Sequence, residues 1–122
     1  LGDFGLLRPV LPEIAEMMEV TQGAPHVFDV YTHTLAAVAF ACQFRSWLKG
    51  EAILESGPAT TCWQQLLAPW HFRLREHFMQ PVTADRLRVD WLVWHTLWHD
   101  VGKPATRTTE AQQDGTIRYR FL

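Results

Sequence analysis

No apolar run in this sequence approaches the roughly 20 residues that a membrane-spanning helix needs. The longest, around Leu35 to Ala41 and Trp91 to Trp98, stop well short of it, so no membrane partner is expected. Cysteine is scarce: Cys42 and Cys62 lie far apart and match no CxxC metal pattern. Nothing resembling a secretory signal precedes them, and a reducing, cytoplasmic setting is the expectation. An excess of charge of one sign is also missing, the formal net charge being -2. That excludes the broad basic footprint of a dedicated nucleic-acid binder. Contact with nucleic acid would have to rest on local arginines such as Arg73, Arg75, Arg86 and Arg88, which otherwise read as a solvated helix face. Internal repeats and low-complexity segments are absent as well.

What is present suits one small domain. The 122 residues are 48% apolar and 20% charged, enough to bury one core and too apolar for a disordered chain. The chain begins with Leu1 and stops at Phe121-Leu122 in a strand-like run, so it is expected to be cut from a longer protein. Val10, Leu11, Ile14, Met17 and Met18 recur at helical spacing and predict a short helix over Pro9 to Val20, with Pro12 tolerable only in its first turn. After a loop from Thr21 to Phe28, Asp29 is the predicted N-cap of a helix over Val30 to Lys49, ended by Gly50. A further helix is predicted from Cys62 to Met79, capped by Thr60 or Thr61 and kinked or divided by Pro69. Thr83 is the predicted cap of a helix over Ala84 to Val101. In it Leu87, Trp91, Trp94, Trp98 and Val101 form a stripe expected to be the most buried surface of the domain, ahead of a stop at Gly102. Beyond Pro104, two β-favouring runs flank Asp114-Gly115, a strong hairpin signal. The expected architecture is all-α, a helical body over 9–102 with a small β-hairpin over 104–122.

His99 and Asp100 are the residues that concentrate chemistry. A carboxylate in so apolar a setting is costly unless it is paired or binds a metal. Neighbours on a helix point about 100° apart, so a divalent ion between the two side chains can take nitrogen from one and oxygen from the other. His33, one turn inside its own helix, is the candidate third ligand. A mixed nitrogen and oxygen set suits Mn, Fe, Ni, Co or Zn better than Ca. The plainer alternatives are a buried ion pair or a helix-end cap for His99 and Asp100, an ordinary half-buried histidine for His33, and dipole neutralisation for Lys103. His95, four residues before His99, is a rival ligand. His71 and His77 read as surface residues, and the tryptophans read as core rather than as a platform for stacking bases.

The elements Tyr31-Thr32-His33-Thr34 and His99-Asp100-Val101-Gly102-Lys103-Pro104 resemble the H…HD signature of the HD superfamily of metal-dependent phosphohydrolases. More narrowly, Gly5-Leu6-Leu7, Leu11-Pro12-Glu13, Asp29 to Leu35, Gly102 to Arg107 and Asp114 to Arg118 are similar to the HD region of bacterial tRNA nucleotidyltransferases and poly(A) polymerases. The resemblance runs through almost the whole chain and implies an HD-domain helical bundle. It implies a divalent ion (Mn, Mg, Ni, Co, Fe or Zn) on His33, His99 and Asp100, with catalytic roles for Asp100 and Lys103 and with Lys103 near the substrate phosphate. The implied substrate is a nucleotide or RNA-terminal phosphate ester, with tRNA a partner through the longer protein. His26, in the loop near the proposed site, is a candidate phosphate contact against the plainer reading of a solvated loop histidine. The family pattern also has a later Asp ligand and a Gly-His-Glu element after the hairpin, neither of which falls within the sequence, and Asp114 is a poor substitute. The stretch between His33 and His99 is longer than in compact members, suggesting a helical insertion around Cys62 to Met79. The expectation is therefore weak metal retention and little activity in the chain itself, or a catalytically idle module for RNA positioning or interaction, with a small helical interaction domain that holds no metal as the third reading.

Overall fold

The computed structural model describes residues 4–18, 20–23, 27–53, 57–112, 115 and 117–121. In chain order its elements are α1 (Leu7–Val10), α2 (Pro12–Glu16), α3 (Val30–Lys49), α4 (Pro58–Leu67), α5 (His71–Phe78), β1 (Pro81–Thr83), β2 (Arg86–Leu87), α6 (Arg88–Trp98), α7 (Lys103–Thr106), β3 (Arg107–Ala111) and β4 (Ile117–Phe121). Single 3-10 turns precede α1 and join α4 to α5. The chain divides into two compact units, one made of Leu1–Ala37 with Leu97–Leu122 and the other of Val38–Thr96.

In the first unit, Pro12 opens α2, where its missing N–H leaves no extra carbonyl unpaired. The same residue prevents the single helix expected over Pro9 to Val20, because it cannot continue the hydrogen-bond ladder of α1. Ile14 and Met17 bury themselves against Val30, with Leu11, Tyr31, Leu97, Trp98 and Val101 packed around them. The Val30 N–H donates to the Val20 carbonyl at 2.9 Å and closes the intervening loop at its base. Gly23 in that loop has φ +74°, and a Cβ there would meet the Tyr119 ring at 3.1 Å, so backbone strain and space both demand glycine.

Helix α3 starts where the sequence says it should. Asp29 accepts the Thr32 N–H at 2.7 Å and the Thr32 hydroxyl at 3.1 Å, while its carbonyl accepts the His33 N–H at 3.0 Å. The far end closes with Gly50 at φ +73°. Its N–H reaches the Trp47 carbonyl and that of Glu51 reaches the Ser46 carbonyl, the paired bonds of a Schellman motif. In the first unit, β3 and β4 pair antiparallel with Arg107 opposite Phe121 and Ala111 opposite Ile117. Gly115, at φ +80°, lies in the connection, and Asp114 lies outside the described residues. The hairpin begins at Arg107 rather than at 104. The preceding four residues form α7, with Pro104 in its first turn.

The second unit is built on Phe44, Leu48 and Val89, with Trp47, Trp63, Leu74, Phe78 and Leu92 packed against them. Its aromatic rings meet edge to face, Trp47 with Trp63 at 5.4 Å and Phe44 with Phe78 at 5.5 Å, the arrangement that ring quadrupoles favour. His71, expected at the surface, is half-buried with its ring 4.4 Å from that of Trp47. Helix α4 is capped by Gly57 and opened by Pro58, so Thr60 and Thr61 lie inside it. The Thr60 hydroxyl turns to Gln43 at 3.4 Å and that of Thr61 to the Gly57 carbonyl at 3.2 Å. Pro69 divides the segment as expected, within the turn Ala68–Trp70.

Helix α6 departs from the sequence expectation at its start and in the face it buries. Thr83 does not cap it: its hydroxyl donates to Asp85 at 3.0 Å, and Ala84-Asp85 turns β1 back onto β2, with Pro81 opposite Leu87 and Thr83 opposite Arg86. The helix starts only at Arg88, where Asp90 supplies the capping carboxylate. Asp90 Oδ2 accepts the Leu87 N–H at 2.9 Å and Oδ1 accepts Arg45 Nε at 2.7 Å. The tryptophan stripe is not the most buried surface either, since Trp91 is 42% and Trp94 51% exposed while Val89 is fully buried. At about 100° per residue Trp91 and Trp94 lie opposite the face of Val89 and Leu92. Both faces are apolar, so periodicity could not choose between them. The bonds of Asp90 help fix the rotation. Trp98 does pack, on the core of the first unit.

The all-α HD-domain bundle with a single terminal hairpin is thus not what the chain forms. Among the described residues it is mostly helical with two antiparallel hairpins, the second strand of the first being taken from residues expected to be helix. No helix of the described residues is long and apolar enough to cross a membrane.

Asp90→Ala is expected to destabilise the protein by about 1 to 2 kcal/mol, through loss of a helix cap and of the arginine's partner. The Leu87 N–H, followed by Arg45, holds the Asp90 carboxyl below its ordinary value of 3.8. A carboxyl lowered on folding stabilises above its unfolded value, and that contribution is lost as pH falls through the folded one. Denaturant unfolding should therefore show the variant's deficit intact at neutral pH and shrinking below about pH 4.

Candidate metal centre

His33 is placed by the cap of α3. The Asp29 carboxylate fixes Thr32 and the Asp29 carbonyl takes the first helical bond from His33 itself, so the imidazole leaves a rigid first turn. His99 and Asp100 follow the end of α6. There the chain turns through two more bonds, Val101 N–H to the Trp98 carbonyl and Lys103 N–H to the Asp100 carbonyl. Gly102 is not left-handed, having φ -78°. The turn carries straight into α7 and brings Lys103 back over Asp100.

Asp100 is 8% exposed. Around its Oδ2 stand Lys103 Nζ at 2.8 Å, His99 Nε2 at 3.2 Å and His33 Nε2 at 3.7 Å. Despite that company Oδ2 is buried without a hydrogen bond, its contact with Lys103 being an ion pair. The imidazole rings of His33 and His99 lie 5.5 Å apart, tilted by 58°. One donor atom from each of His33, His99 and Asp100 falls within 4.8 Å of the others.

These dimensions fit a divalent ion. With metal to ligand distances of about 2.1 Å, neighbouring donor atoms are separated by about 3.0 Å on an octahedron and about 3.4 Å on a tetrahedron. The His99 distance to Asp100, 3.2 Å, lies between those values and the His33 distance, 3.7 Å, exceeds them by a few tenths of an ångström, and a carboxylate oxygen without a hydrogen bond is an atom that an ion would satisfy. Two imidazoles and one carboxylate form a donor set that leaves further positions for water or substrate. Lys103 contests the same oxygen, since its ammonium already answers the buried charge.

Lys103 is further tied by a hydrogen bond from Nζ to Gln22 Oε1 at 2.6 Å, and it stands 5.4 Å from the Phe121 ring centroid. Gln22, 5% exposed, donates in turn to the Phe28 carbonyl at 3.4 Å. Neither Gln22 nor Phe121 was a sequence candidate. Gln22 sits in a loop with no periodicity to betray its burial, and Phe121 is one of several apolar strand residues. Thr21, beside Gln22, accepts Arg107 Nη2 at 2.9 Å, and the Arg107 guanidinium lies 4.0 Å from the Tyr119 ring centroid. Hydrogen bonds from Thr21 and then Arg107 hold the Tyr119 phenol below its ordinary range. The hairpin thus anchors the loop that positions Lys103.

Of the other sequence candidates, His95 is not among the grouped ligands; it is exposed, with its ring 6.1 Å from that of Trp91. His26 lies outside the described residues. Of the arginines, Arg75 donates to the Leu48 carbonyl, Arg88 meets His77 and Arg86 faces Asp85, and Arg73 is exposed.

Lys103→Met should lower the melting temperature in EDTA, because a buried carboxylate loses its nearest cation, and Mn²⁺ should restore more stability to this variant than to wild type. Thermal unfolding with and without Mn²⁺ checks this; equal response of the two proteins would show that Lys103 and the ion do not compete. No known protein family, curated protein or solved structure matches this chain, so the assignment of the centre rests on its own geometry.

Proposed function

We propose that the chain carries a metal-dependent phosphohydrolase centre acting on a nucleotide or RNA-terminal phosphate. The observation that carries the reading is the convergence of His33, His99 and Asp100 donor atoms within 4.8 Å around a buried carboxylate oxygen. The sequence pattern His33…His99-Asp100 with Gly102-Lys103-Pro104 supports it, as does its likeness to the HD region of tRNA nucleotidyltransferases and poly(A) polymerases. A longer RNA-processing protein in a cytoplasmic setting belongs to the same proposal.

The chemistry that a divalent ion supplies when bound is Lewis acidity toward phosphate oxygens and toward water. Asp100 holds the site's negative charge out of solvent and so raises its grip on cations. His33 and His99 would contribute imidazole nitrogen from two separate elements. Lys103, released from Asp100 when other positive charge answers that carboxylate, offers its ammonium to a phosphate oxygen. Gln22 keeps Lys103 at the site during that exchange.

A second reading has a specific observation behind it. The 2.8 Å pair of Lys103 with Asp100 already balances the buried charge, as expected of a catalytically idle module that keeps the cluster for stability or for positioning RNA.

Hydrolysis of a 2′,3′-cyclic nucleotide and of an aryl phosphate, with Mn²⁺ or Ni²⁺ titrated in, separates the readings. The proposal expects slow metal-dependent turnover that Asp100→Ala abolishes and His95→Ala leaves intact. Metal-dependent turnover unchanged in Asp100→Ala would contradict the ligand assignment, and bound metal without turnover of either substrate would establish the idle module.

A further inference from the structure

The outward tryptophans of α6 mark a second concentration of chemistry, inside the unit Val38–Thr96. Trp91 and Trp94, with Arg86 and Asp90, line a cavity of about 270 Å³. A neighbouring surface cavity of about 230 Å³ shares Trp94, Arg86 and Asp90 and is also lined by Cys42, Arg45 and Val93. Trp94 and Arg86 therefore border both spaces. Indoles three residues apart on a helix are surface neighbours, and large rings left half in water forfeit the burial that tryptophan ordinarily gains.

The charges at this place are unequally engaged. The Asp90 carboxylate is answered by the Leu87 N–H and by Arg45, which blunts its repulsion of an anion. Among the described residues Arg86 faces Asp85 alone, at 3.8 Å, with the two side chains 60% and 77% exposed, a pair that water and salt screen. A free phosphate would not need the indoles, and an apolar ligand would not need the guanidinium. Aromatic faces beside an under-used arginine are the chemistry that receives a base together with its phosphate.

We propose that this cavity binds a nucleoside 5′-phosphate unit, with the base against Trp91 and Trp94 and the phosphate at Arg86. The site is separate from His33, His99 and Asp100 and does not rest on the phosphohydrolase reading. Calorimetric titration of the whole chain with adenosine 5′-monophosphate, in EDTA so that the metal centre stays silent, tests it. Binding is expected, weakened about tenfold or more in Trp94→Ala and retained in Trp94→Phe. Arg86→Gln should reduce the preference for the monophosphate over adenosine and flatten the salt dependence. Circular dichroism confirms that each variant is folded. Absence of binding, or binding equal in wild type, Trp94→Ala and Arg86→Gln, would overturn the proposal. Light scattering that shows a dimer lost in Trp94→Ala, without any nucleotide effect, would overturn it too and assign the face to a second copy of the chain.

Discussion

A carboxylate taken out of water must be answered by positive charge or by donors, and in the first unit the surroundings of Asp100 follow from that demand. The penalty for leaving such a charge alone is several kcal/mol. Lys103 meets it from the next turn, while His99 and His33 stand beside it from the adjacent position and from the start of α3. Each of these placements depends on a local device: the Asp29 cap that sets where α3 begins, and the tight turn after Trp98 that folds Lys103 back. Oδ2 itself has the Lys103 ammonium beside it but no hydrogen bond. An ion and an ammonium compete for that atom, and the competition is what would couple cation binding to the freedom of Lys103.

The remainder of the first unit holds this arrangement in place. The loop after α2 is pinned at its base by Val20 and Val30 and at its middle by Gly23 against Tyr119. Thr21 and Gln22, consecutive in that loop, tie Arg107 and Lys103 respectively. A hairpin that looks peripheral in the sequence thus supplies Tyr119 and Phe121 to the surroundings of the proposed site. Gln22 and Arg107 are bound to act together through this loop, so their substitution effects should not be additive.

Much of the site could be read from the chain, and less of the fold. Asp29 as a cap, α3 from Val30 to Lys49 and the Gly50 stop follow from local rules that tertiary context did not override. The joining of His33 to His99 and Asp100 came from a resemblance, not from periodicity, and the distances agree with it. What failed was the choice of face. Helix α6 is apolar nearly all round, so spacing alone could not say whether Trp91 and Trp94 or Val89 and Leu92 face the core. Thr83 misled for a related reason: a threonine before Ala-Asp-Arg suits both a helix cap and a hairpin turn, and the Asp90 carboxylate three residues into α6 decided between them. Gln22 carried no signal, because burial of a loop residue depends on contacts far away in sequence.

The central claim is that Asp100 and the two histidines make one cation site. Titration of the purified chain with Mn²⁺, followed by calorimetry and by the loss of free-ion paramagnetic signal, tests it most directly. The account predicts a single equivalent bound by wild type and none by Asp100→Asn or His33→Ala, with helical content unchanged in both variants. A wild-type chain that binds neither Mn²⁺ nor Zn²⁺, or an Asp100→Asn chain that binds as well as wild type, would contradict it.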